Sequence, residues 1–316
     1  MTLLKNLFLL MRWPNLLITG ISMYLIRYAI FIPLADNAGI SLPLSRVAFS
    51  LLVFGVICIT AAGYIINDYF DIKTDEINKP QKMILGKFFS KSQGISLYIS
   101  LNTCGIVAGY FSARATGYPK LVFVFFIAAA LLWFYSVSYK RRFLIGNLAI
   151  AFLSSLVIGI TWLFELFALL NAPMDYTAMI SDMFLFNRLS WFFIIFAFII
   201  TLIREIIKDA EDIEGDKVSG SNTLPIRLGL KTSARIILVI SFLSMLFLLW
   251  SQYLLMKHGF TEAAIYYFVI QALIYYTATG AYHALSKEDW KNAGTMAKYT
   301  MVAGIAGMEL IMLGFK

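Results

Sequence analysis

Two short acidic segments hold the side chains best suited to chemistry in this 316-residue sequence. The first, residues 67–75, reads Asn-Asp-Tyr-Phe-Asp-Ile-Lys-Thr-Asp and directly follows a long apolar run. On a helix, Asn67, Asp71 and Asp75 are spaced i, i+4 and i+8, so they form one stripe with Asp68 beside it. The spacing therefore predicts that three carboxylates and one amide face the same side.

The second acidic segment lies far downstream, at the end of another apolar run. It spans residues 204–216, and Glu205, Asp209, Asp212 and Asp216 fall at i, i+4, i+7 and i+11, which is again one helical face. Together with Glu76, which directly follows the first segment, the two segments contain ten of the 18 acidic residues, so a shared function is expected. Because carboxylates at this spacing repel one another, we expect the two helix ends to face each other across a site that holds a cation.

Magnesium is the cation that this set of ligands favours. It is a hard ion that prefers oxygen ligands and usually bridges one or two carboxylates to a phosphate. Bound magnesium would neutralise a diphosphate leaving group and so allow an allylic carbon to ionise. At the face of an apolar, aromatic-rich bundle, the pattern predicts a substrate with a diphosphate head and a hydrocarbon tail.

Basic, amide and hydroxyl side chains near these segments would bind the same substrate. The candidates are Arg12 and Asn15, Lys79 and Lys82 in the loop after the first segment, Tyr135, Ser136, Lys140 and Arg141 at the end of an apolar run, and Arg204 and Lys208. On a helix Ser136 and Lys140 are i, i+4 with Tyr135 next to that face, so their donors would converge. Other interpretations stay open, namely a helix-start anchor at 12–15, loop lysines that only set topology, and a stop-transfer cluster at 140–142.

The composition indicates an all-α polytopic membrane protein. Hydrophobic residues make up 60% of the chain, charged residues only 14%, and the mean hydropathy is +0.78. A water-soluble protein of this length could not cover its surface with so few polar groups. Apolar stretches of about 17–25 residues can each cross a membrane as a helix, and nine of them lie at about 15–32, 47–66, 95–113, 121–137, 146–169, 189–207, 234–256, 262–284 and 296–315.

The basic residues predict how the chain is oriented in the membrane. Nineteen of the 26 Lys and Arg residues fall in the N-terminus and the connections on its side. The positive-inside rule then predicts a cell inner membrane protein with its N-terminus and both acidic segments in the cytoplasm and its C-terminus outside. The net charge of +8 reflects this bias and a preference for anionic substrates or lipids, and it indicates no nucleic-acid partner. Arg27 is expected to snorkel outward from its span, and Glu165 to reach the outer interface.

The chain resembles the UbiA superfamily of intramembrane prenyltransferases over essentially its full length. Residues 67–75 are similar to that family's Asn-Asp-x-x-Asp-x-x-x-Asp motif, and residues 212–216, Asp-Ile-Glu-Gly-Asp, to its second motif, Asp-x-x-x-Asp. Residues 135–140 look like its Tyr-Ser-x-x-x-Lys element, and residues 12–15, Arg-Trp-Pro-Asn, like its N-terminal motif. The resemblance implies a single transmembrane domain over 1–316, with nine helices around a central cavity open to lipid.

The resemblance also implies roles for individual residues. The residues that would hold magnesium and the diphosphate are Asn67, Asp71, Asp212 and Asp216. Those that would support the diphosphate or position the acceptor are Asp68, Asp75, Lys140, Lys208 and Asp209. The implied cofactor is Mg²⁺, and the implied partners are a prenyl diphosphate, an acceptor and membrane lipids.

The acceptor has several candidates. Residues 204–216, followed by Thr-Leu-Pro-Ile at 223–226, look most like the branch that prenylates geranylgeranylglyceryl phosphate to make ether lipids. An aromatic acceptor of the 4-hydroxybenzoate, homogentisate or naphthoate type, as in quinone biosynthesis, is the alternative. An ion-coupled transporter could also place carboxylates at span ends, although it would more often put them at mid-membrane on broken helices.

Overall fold

The computed structural model describes residues 3–78, 81 and 83–315, and these are almost entirely helical. This part of the chain forms no β-strand, and Leu85 and Phe89 make an isolated bridge. The all-α prediction is confirmed. The helices are α1 (Leu3–Leu10), α2 (Trp13–Ile26), α3 (Ile32–Asn37), α4 (Arg46–Asn78), α5 (Lys91–Ala115), α6 (Phe123–Val137), α7 (Ile145–Leu170), α8 (Pro173–Ala178), α9 (Met183–Glu211), α10 (Ile213–Val218), α11 (Leu224–Leu228), α12 (Leu230–Lys257), α13 (Thr261–Tyr282) and α14 (Lys287–Leu313).

Eight segments of the described chain are long and apolar enough to cross a membrane. They correspond to eight of the nine predicted spans, and the ninth, at about 262–284, is the 22-residue helix α13. A helix of that length extends about 33 Å, which is enough for a hydrocarbon core of about 30 Å. Its five tyrosines and three threonines make α13 less apolar than the others. The chain is an integral membrane protein, and nine is an approximate count of its spans.

The helices group into two compact units. Unit 1 comprises Met1–Tyr24, Leu42–Lys140 and Ile160–Thr177, and unit 2 comprises Leu25–Ser41, Arg141–Gly159 and Ala178–Lys316. The first acidic segment therefore belongs to unit 1 and the second to unit 2. That residues 1–316 act as a single domain stays a prediction.

Small residues bring α4 and α5 close together in unit 1. A Cβ atom added to Gly55 of α4 would lie 2.9 Å from the carbonyl oxygen of Gly105 and 3.3 Å from the backbone nitrogen of Gly109. The four-residue spacing of the two α5 glycines places both on one face, the pattern that allows transmembrane helices to approach closely. The ring of Phe125 from α6 packs directly over Gly109. This packing fixes the direction of α4, which carries the first acidic segment.

An apolar cluster holds the loop after α4 against the end of that helix. Leu85 and Phe89 of the loop are buried together with Ile65 and Ile72 of α4 and Leu10 of α1. Removing these side chains from water contributes roughly 1.5–3 kcal/mol for each fully buried large residue. The described part of the loop is therefore anchored beside the acidic stripe.

Unit 2 combines close glycine packing with a buried polar pair. A Cβ atom added to Gly304 of α14 would collide with the ring of Phe196 of α9, so the two helices touch closely there. Gln271 of α13 donates to the side-chain oxygen of Gln252 of α12 at 2.7 Å, and Gln252 donates to the carbonyl of Ala264 at 2.8 Å. Such amide bonds link transmembrane helices because the alternative is an unsatisfied polar group in hydrocarbon.

Two expectations about charged residues inside spans are wrong. Arg27 is only 3% exposed and lies in a π-helical turn, Arg27–Phe31, so it is buried and does not snorkel to the surface. Glu165 is 0% exposed, so its side chain is also enclosed by protein and does not reach the surface. Ionisable groups inside membrane spans usually face protein rather than lipid, and both residues follow that rule.

Candidate active site

The last turns of α4 carry the first acidic stripe. The helix has 33 residues and is therefore about 50 Å long, well beyond the thickness of a hydrocarbon core. Its apolar part ends at Ile72. Asn67, Asp68 and Asp71 lie in the final turns of that part, Asp75 lies beyond it, and all four side chains are partly buried.

A lysine contacts two of the predicted magnesium ligands. Asn67 donates from Nδ2 to Oδ2 of Asp71 at 3.0 Å, which confirms that the two side chains share one face of α4. Lys140 donates from Nζ to Oδ1 of Asp71 in a close ion pair and lies 3.4 Å from Oδ1 of Asn67. Both oxygens therefore face one positive charge, as would be required of ligands for a cation.

A second ion pair in unit 1 links the N-terminal segment to the stripe. Arg12 donates from Nη2 to Oδ1 of Asp68 at 2.7 Å, and its guanidinium lies 4.8 Å from the ring centre of Tyr64. Asn15 donates to the hydroxyl of Tyr64 at 3.1 Å. Tyr135 lies two residues before the end of α6, and its contact with substrate stays a prediction. The structure thus brings together Arg12, Asn15 and Asp68 as the sequence suggested, and it adds Tyr64, which precedes Asp68 by one helical turn.

Ser136 does not face the site in the way the sequence predicted. Its hydroxyl donates to the carbonyl of Leu132 at 2.9 Å, and the residue is 1% exposed. The helix α6 ends at Val137, and Tyr139–Arg141 form a 3-10 turn. The i, i+4 relation between Ser136 and Lys140 assumed one continuous helix, so that premise is wrong, and Lys140 reaches the stripe from the turn instead.

The second acidic segment is held by contacts inside unit 2. Asn147 of α7 donates from Nδ2 to Oδ2 of Asp209 at 2.7 Å, and Asn147 is buried. Arg204 donates to Oε1 of Glu205 at 2.6 Å, and the ammonium of Lys208 lies 3.9 Å from the other oxygen of Glu205. Asn147 was not predicted, and an amide at the start of an otherwise apolar span was the signal that could have indicated it.

The helix carrying the second segment is interrupted at Asp212. The helix α9 ends at Glu211, Asp212 has φ −95° and ψ 10°, and α10 begins at Ile213. The backbone nitrogen of Asp216 still donates to the carbonyl of Asp212 at 3.0 Å, so the spacing of these two residues remains one turn. The prediction of a single uninterrupted helix from 204 to 216 is therefore wrong. That the side chains of Asp212 and Asp216 face the same side stays a prediction.

The structure gives little information about three of the predicted substrate-binding residues. Lys79 and Lys82 lie outside the described residues. Arg141 has an exposed side chain, and its carbonyl accepts a bond from the backbone nitrogen of Asn222 at 2.8 Å. Their contact with substrate stays a prediction.

The donor set of the first stripe suits magnesium. Asn67 and Asp71 offer an amide oxygen and a carboxylate, which are hard ligands, and Mg²⁺ commonly takes only one or two carboxylates and completes its shell with water and phosphate oxygens. Across the described residues, no three His, Cys, Asp or Glu side chains cluster closely enough to bind a metal by themselves. The ammonium of Lys140, which contacts both oxygens, shows that the pair accepts a cation.

Comparison with known proteins identifies relatives along most of the chain. The model of the "UbiA prenyltransferase family" matches residues 12–301. A protein of Thermococcus sibiricus named digeranylgeranylglyceryl phosphate synthase is 30% identical over 267 residues, which cover 84% of both chains. A protein of Methanoregula boonei with the same name is 33% identical over 186 residues, and this match spans only 59% of each chain.

Solved structures share the fold. A structure described as giving insights into digeranylgeranylglyceryl phosphate synthase in membranes aligns over 100% of this chain and 99% of its own, with a TM-score of 0.62 and 23% identity. A UbiA homologue of Archaeoglobus fulgidus, bound to DMAPP and Mg²⁺, aligns over 96% of this chain and 99% of its own, with a TM-score of 0.52 and 14% identity. With a family model that matches residues 12–301, the chain belongs to the UbiA prenyltransferase family of membrane proteins.

Proposed function

We propose that this protein transfers a polyprenyl group from an allylic prenyl diphosphate to geranylgeranylglyceryl phosphate, in a magnesium-dependent reaction that forms an ether lipid. The observation that carries the proposal is the pair of oxygens from Asn67 and Asp71 that face one cation at the end of an apolar span. The names of the relatives support the choice of acceptor. The relatives bear that name as whole proteins, so for this chain the acceptor is part of the proposal.

The side chains of unit 1 would hold the diphosphate. Asn67 and Asp71 would bind magnesium, which when bound neutralises the negative charge that develops as the allylic carbon–oxygen bond breaks. The ammonium of Lys140 would then turn from Asp71 to a diphosphate oxygen, because it can donate to either anion. The ion pair from Arg12 keeps Asp68 in a fixed position beside the stripe.

The second acidic segment supplies the remaining residues of the proposal. Asp212 and Asp216 would hold a second part of the metal and diphosphate, and Asp209, kept in place by Asn147, would position the acceptor. As the bond between the allylic carbon and the diphosphate breaks, the acceptor hydroxyl oxygen forms an ether bond to that carbon. The hydroxyl loses its proton, and diphosphate is released. Basic side chains such as Arg204 and Lys208 would bind the phosphate of the acceptor or of the leaving group.

The membrane setting fits substrates with long hydrocarbon chains. Both acidic segments lie at the ends of apolar helices, where a charged head can bind while an apolar tail remains among hydrophobic side chains. We propose, from the distribution of Lys and Arg, that these ends face the cytoplasm of a cell inner membrane. We also propose a cavity open sideways to lipid, through which the prenyl chain enters.

A competition assay tests the acceptor. Purified protein receives geranylgeranyl diphosphate and magnesium together with equal amounts of geranylgeranylglyceryl phosphate, 4-hydroxybenzoate and homogentisate, and products are identified by mass spectrometry. We expect the glycerol ether to dominate, and Asp71→Asn to remove it. A prenylated aromatic product as the main species would replace the proposed acceptor with an aromatic one while leaving the prenyltransferase assignment in place.

A further inference from the structure

A groove lies at the end of unit 2 that is farthest from the acidic residues of α9. It is formed between α9 and α12, has a volume of about 180 Å³, and its lining is almost entirely apolar. The residues that matter below are Arg188, Trp191, Phe192, Trp250, Leu254 and His258. Arg188 precedes Asp209 by 21 residues on the same helix, which corresponds to about 32 Å along the axis. The groove is therefore separate from the candidate active site.

Arg188 places a positive charge in this apolar groove. Its guanidinium lies 5.3 Å from the ring centre of Phe184 and 5.2 Å from that of Trp250. Within the described residues, Arg188 forms no ion pair with a carboxylate at 4.0 Å or less, and it is partly buried. The aromatic rings hold the guanidinium in place by cation–π attraction but leave its donors available. A guanidinium fixed in this way is suited to binding a phosphate through paired hydrogen bonds.

The surrounding residues indicate where the ligand comes from. Trp191 and Trp250 are 50% and 56% exposed and lie about two turns inside the ends of α9 and α12, and tryptophan is enriched near the surface of a membrane. His258 follows the last residue of α12 and is exposed at the rim. Phe192 and Leu254 contribute to the apolar part of the lining. A ligand that satisfies all these features has an anionic head at the membrane surface and a hydrocarbon chain below it.

We infer that this groove binds a membrane phospholipid with a net negative head group, its phosphate on Arg188 and one hydrocarbon chain between α9 and α12. A zwitterionic choline lipid fits less well because the guanidinium already occupies the aromatic faces that could have attracted a quaternary ammonium group. The inference does not depend on the proposed enzymatic function, since none of these residues belongs to the candidate active site.

Native mass spectrometry of the full-length protein tests the inference. The protein, purified in non-ionic detergent, is mixed with equal amounts of phosphatidylglycerol and phosphatidylcholine that carry the same chains, and the retained lipids are counted. We expect wild type to retain phosphatidylglycerol in preference to phosphatidylcholine by about fivefold or more. Arg188→Gln should abolish the preference. Arg114→Gln is the matched control, because Arg114 is an exposed arginine in the last turn of α5, on the same predicted side, and it should change nothing.

A second variant tests the hydrocarbon part of the site without altering charge. Leu254→Trp should fill the groove and lower the retention of phosphatidylglycerol, even though Arg188 is intact. Excess inorganic phosphate should fail to displace the lipid, whereas displacement would indicate a simple anion site and contradict the inference. The inference is also overturned if wild type shows no preference between the lipids, if Arg188→Gln keeps the preference, or if Arg114→Gln removes it to the same extent.

Discussion

Replacing Asp71 by asparagine should lower the stability of the metal-free protein, which is the opposite of what simple charge repulsion suggests. Asp71 lies on an acidic stripe, so removing its charge would be expected to relieve repulsion. In the structure, however, its carboxylate forms an ion pair with Lys140. Asp71→Asn would leave that ammonium facing two neutral amides, so we expect the metal-free protein to become less stable.

The magnitude follows from the exposure of the pair. The side chains of Lys140 and Asp71 are 14% and 21% exposed, so this ion pair is intermediate between a surface pair and a fully buried pair. A surface pair contributes about 0–1 kcal/mol to stability. Disrupting a fully buried pair costs about 3–5 kcal/mol. We expect Asp71→Asn to lower the free energy of unfolding by about 1–3 kcal/mol. At about 2–4 °C per kcal/mol, the melting temperature should fall by roughly 2–12 °C.

Melting curves of wild type and four variants measure this effect. Wild type, the single variants Asp71→Asn and Lys140→Met, and the double variant form a double-mutant cycle. Each substitution should lower the free energy of unfolding by at least about 1 kcal/mol less when the other is already present than when it is made alone. Glu288→Gln is the matched control, because its pair with Lys291 is 3.1 Å long but lies on the exposed surface, and it should change stability by less than about 1 kcal/mol. A double variant whose loss equals the sum of the single losses would refute the reasoning.

Adding magnesium and a non-ionising diphosphate analogue should widen the difference. A ligand at one hundred times its Kd stabilises the protein that binds it by about 2.7 kcal/mol. Wild type should gain this stabilisation and Asp71→Asn should not, because the variant lacks one proposed metal ligand. Equal gains in both proteins would contradict the assignment of Asp71.

Three further predictions test separate parts of the structure. Asn147→Leu removes the hydrogen bond to Asp209, so turnover should fall by about tenfold or more. Asn147→Gln should retain part of the turnover that the leucine variant loses, and measurements of kcat and KM compare the two variants. Arg12→Gln should lower turnover more than the melting temperature, because its ion pair positions an acidic side chain and is partly exposed. Gly109→Ala would bring a Cβ to 2.5 Å from a phenylalanine ring and should cost about 1–3 kcal/mol in thermal unfolding, whereas Gly159→Ala, with 3.8 Å of room, should be tolerated.

The membrane architecture could be predicted from the sequence because its signals are local. Apolar runs of sufficient length identified eight spans, and the i, i+4 spacing correctly placed Asn67 and Asp71 on one face. The helix α13 was identified as a span by its length, although its tyrosines reduce its apolar character. These features depend on a helix of 3.6 residues per turn and on the thickness of the bilayer, which require no knowledge of neighbouring helices.

The contacts around the site could not be predicted because they depend on neighbouring helices and on where helices end. The i, i+4 relation between Ser136 and Lys140 was wrong because α6 ends at Val137, and helix ends are the least predictable part of a helical pattern. Tyr64 and Asn147 were missed because their partners are distant in sequence and meet them only after packing. Arg27 was expected at the surface, but it lies buried in a π-helical turn.

The direct test of the central claim is the stoichiometry of the proposed reaction. Purified protein is supplied with geranylgeranyl diphosphate and geranylgeranylglyceryl phosphate, with magnesium or with a chelator, and ether product and released diphosphate are measured together. We predict one diphosphate released for each ether bond formed, in magnesium only, and no product from Asp71→Asn. Ether formation that continues at the same rate in chelator, or diphosphate release without any prenylated acceptor, would contradict the proposed function.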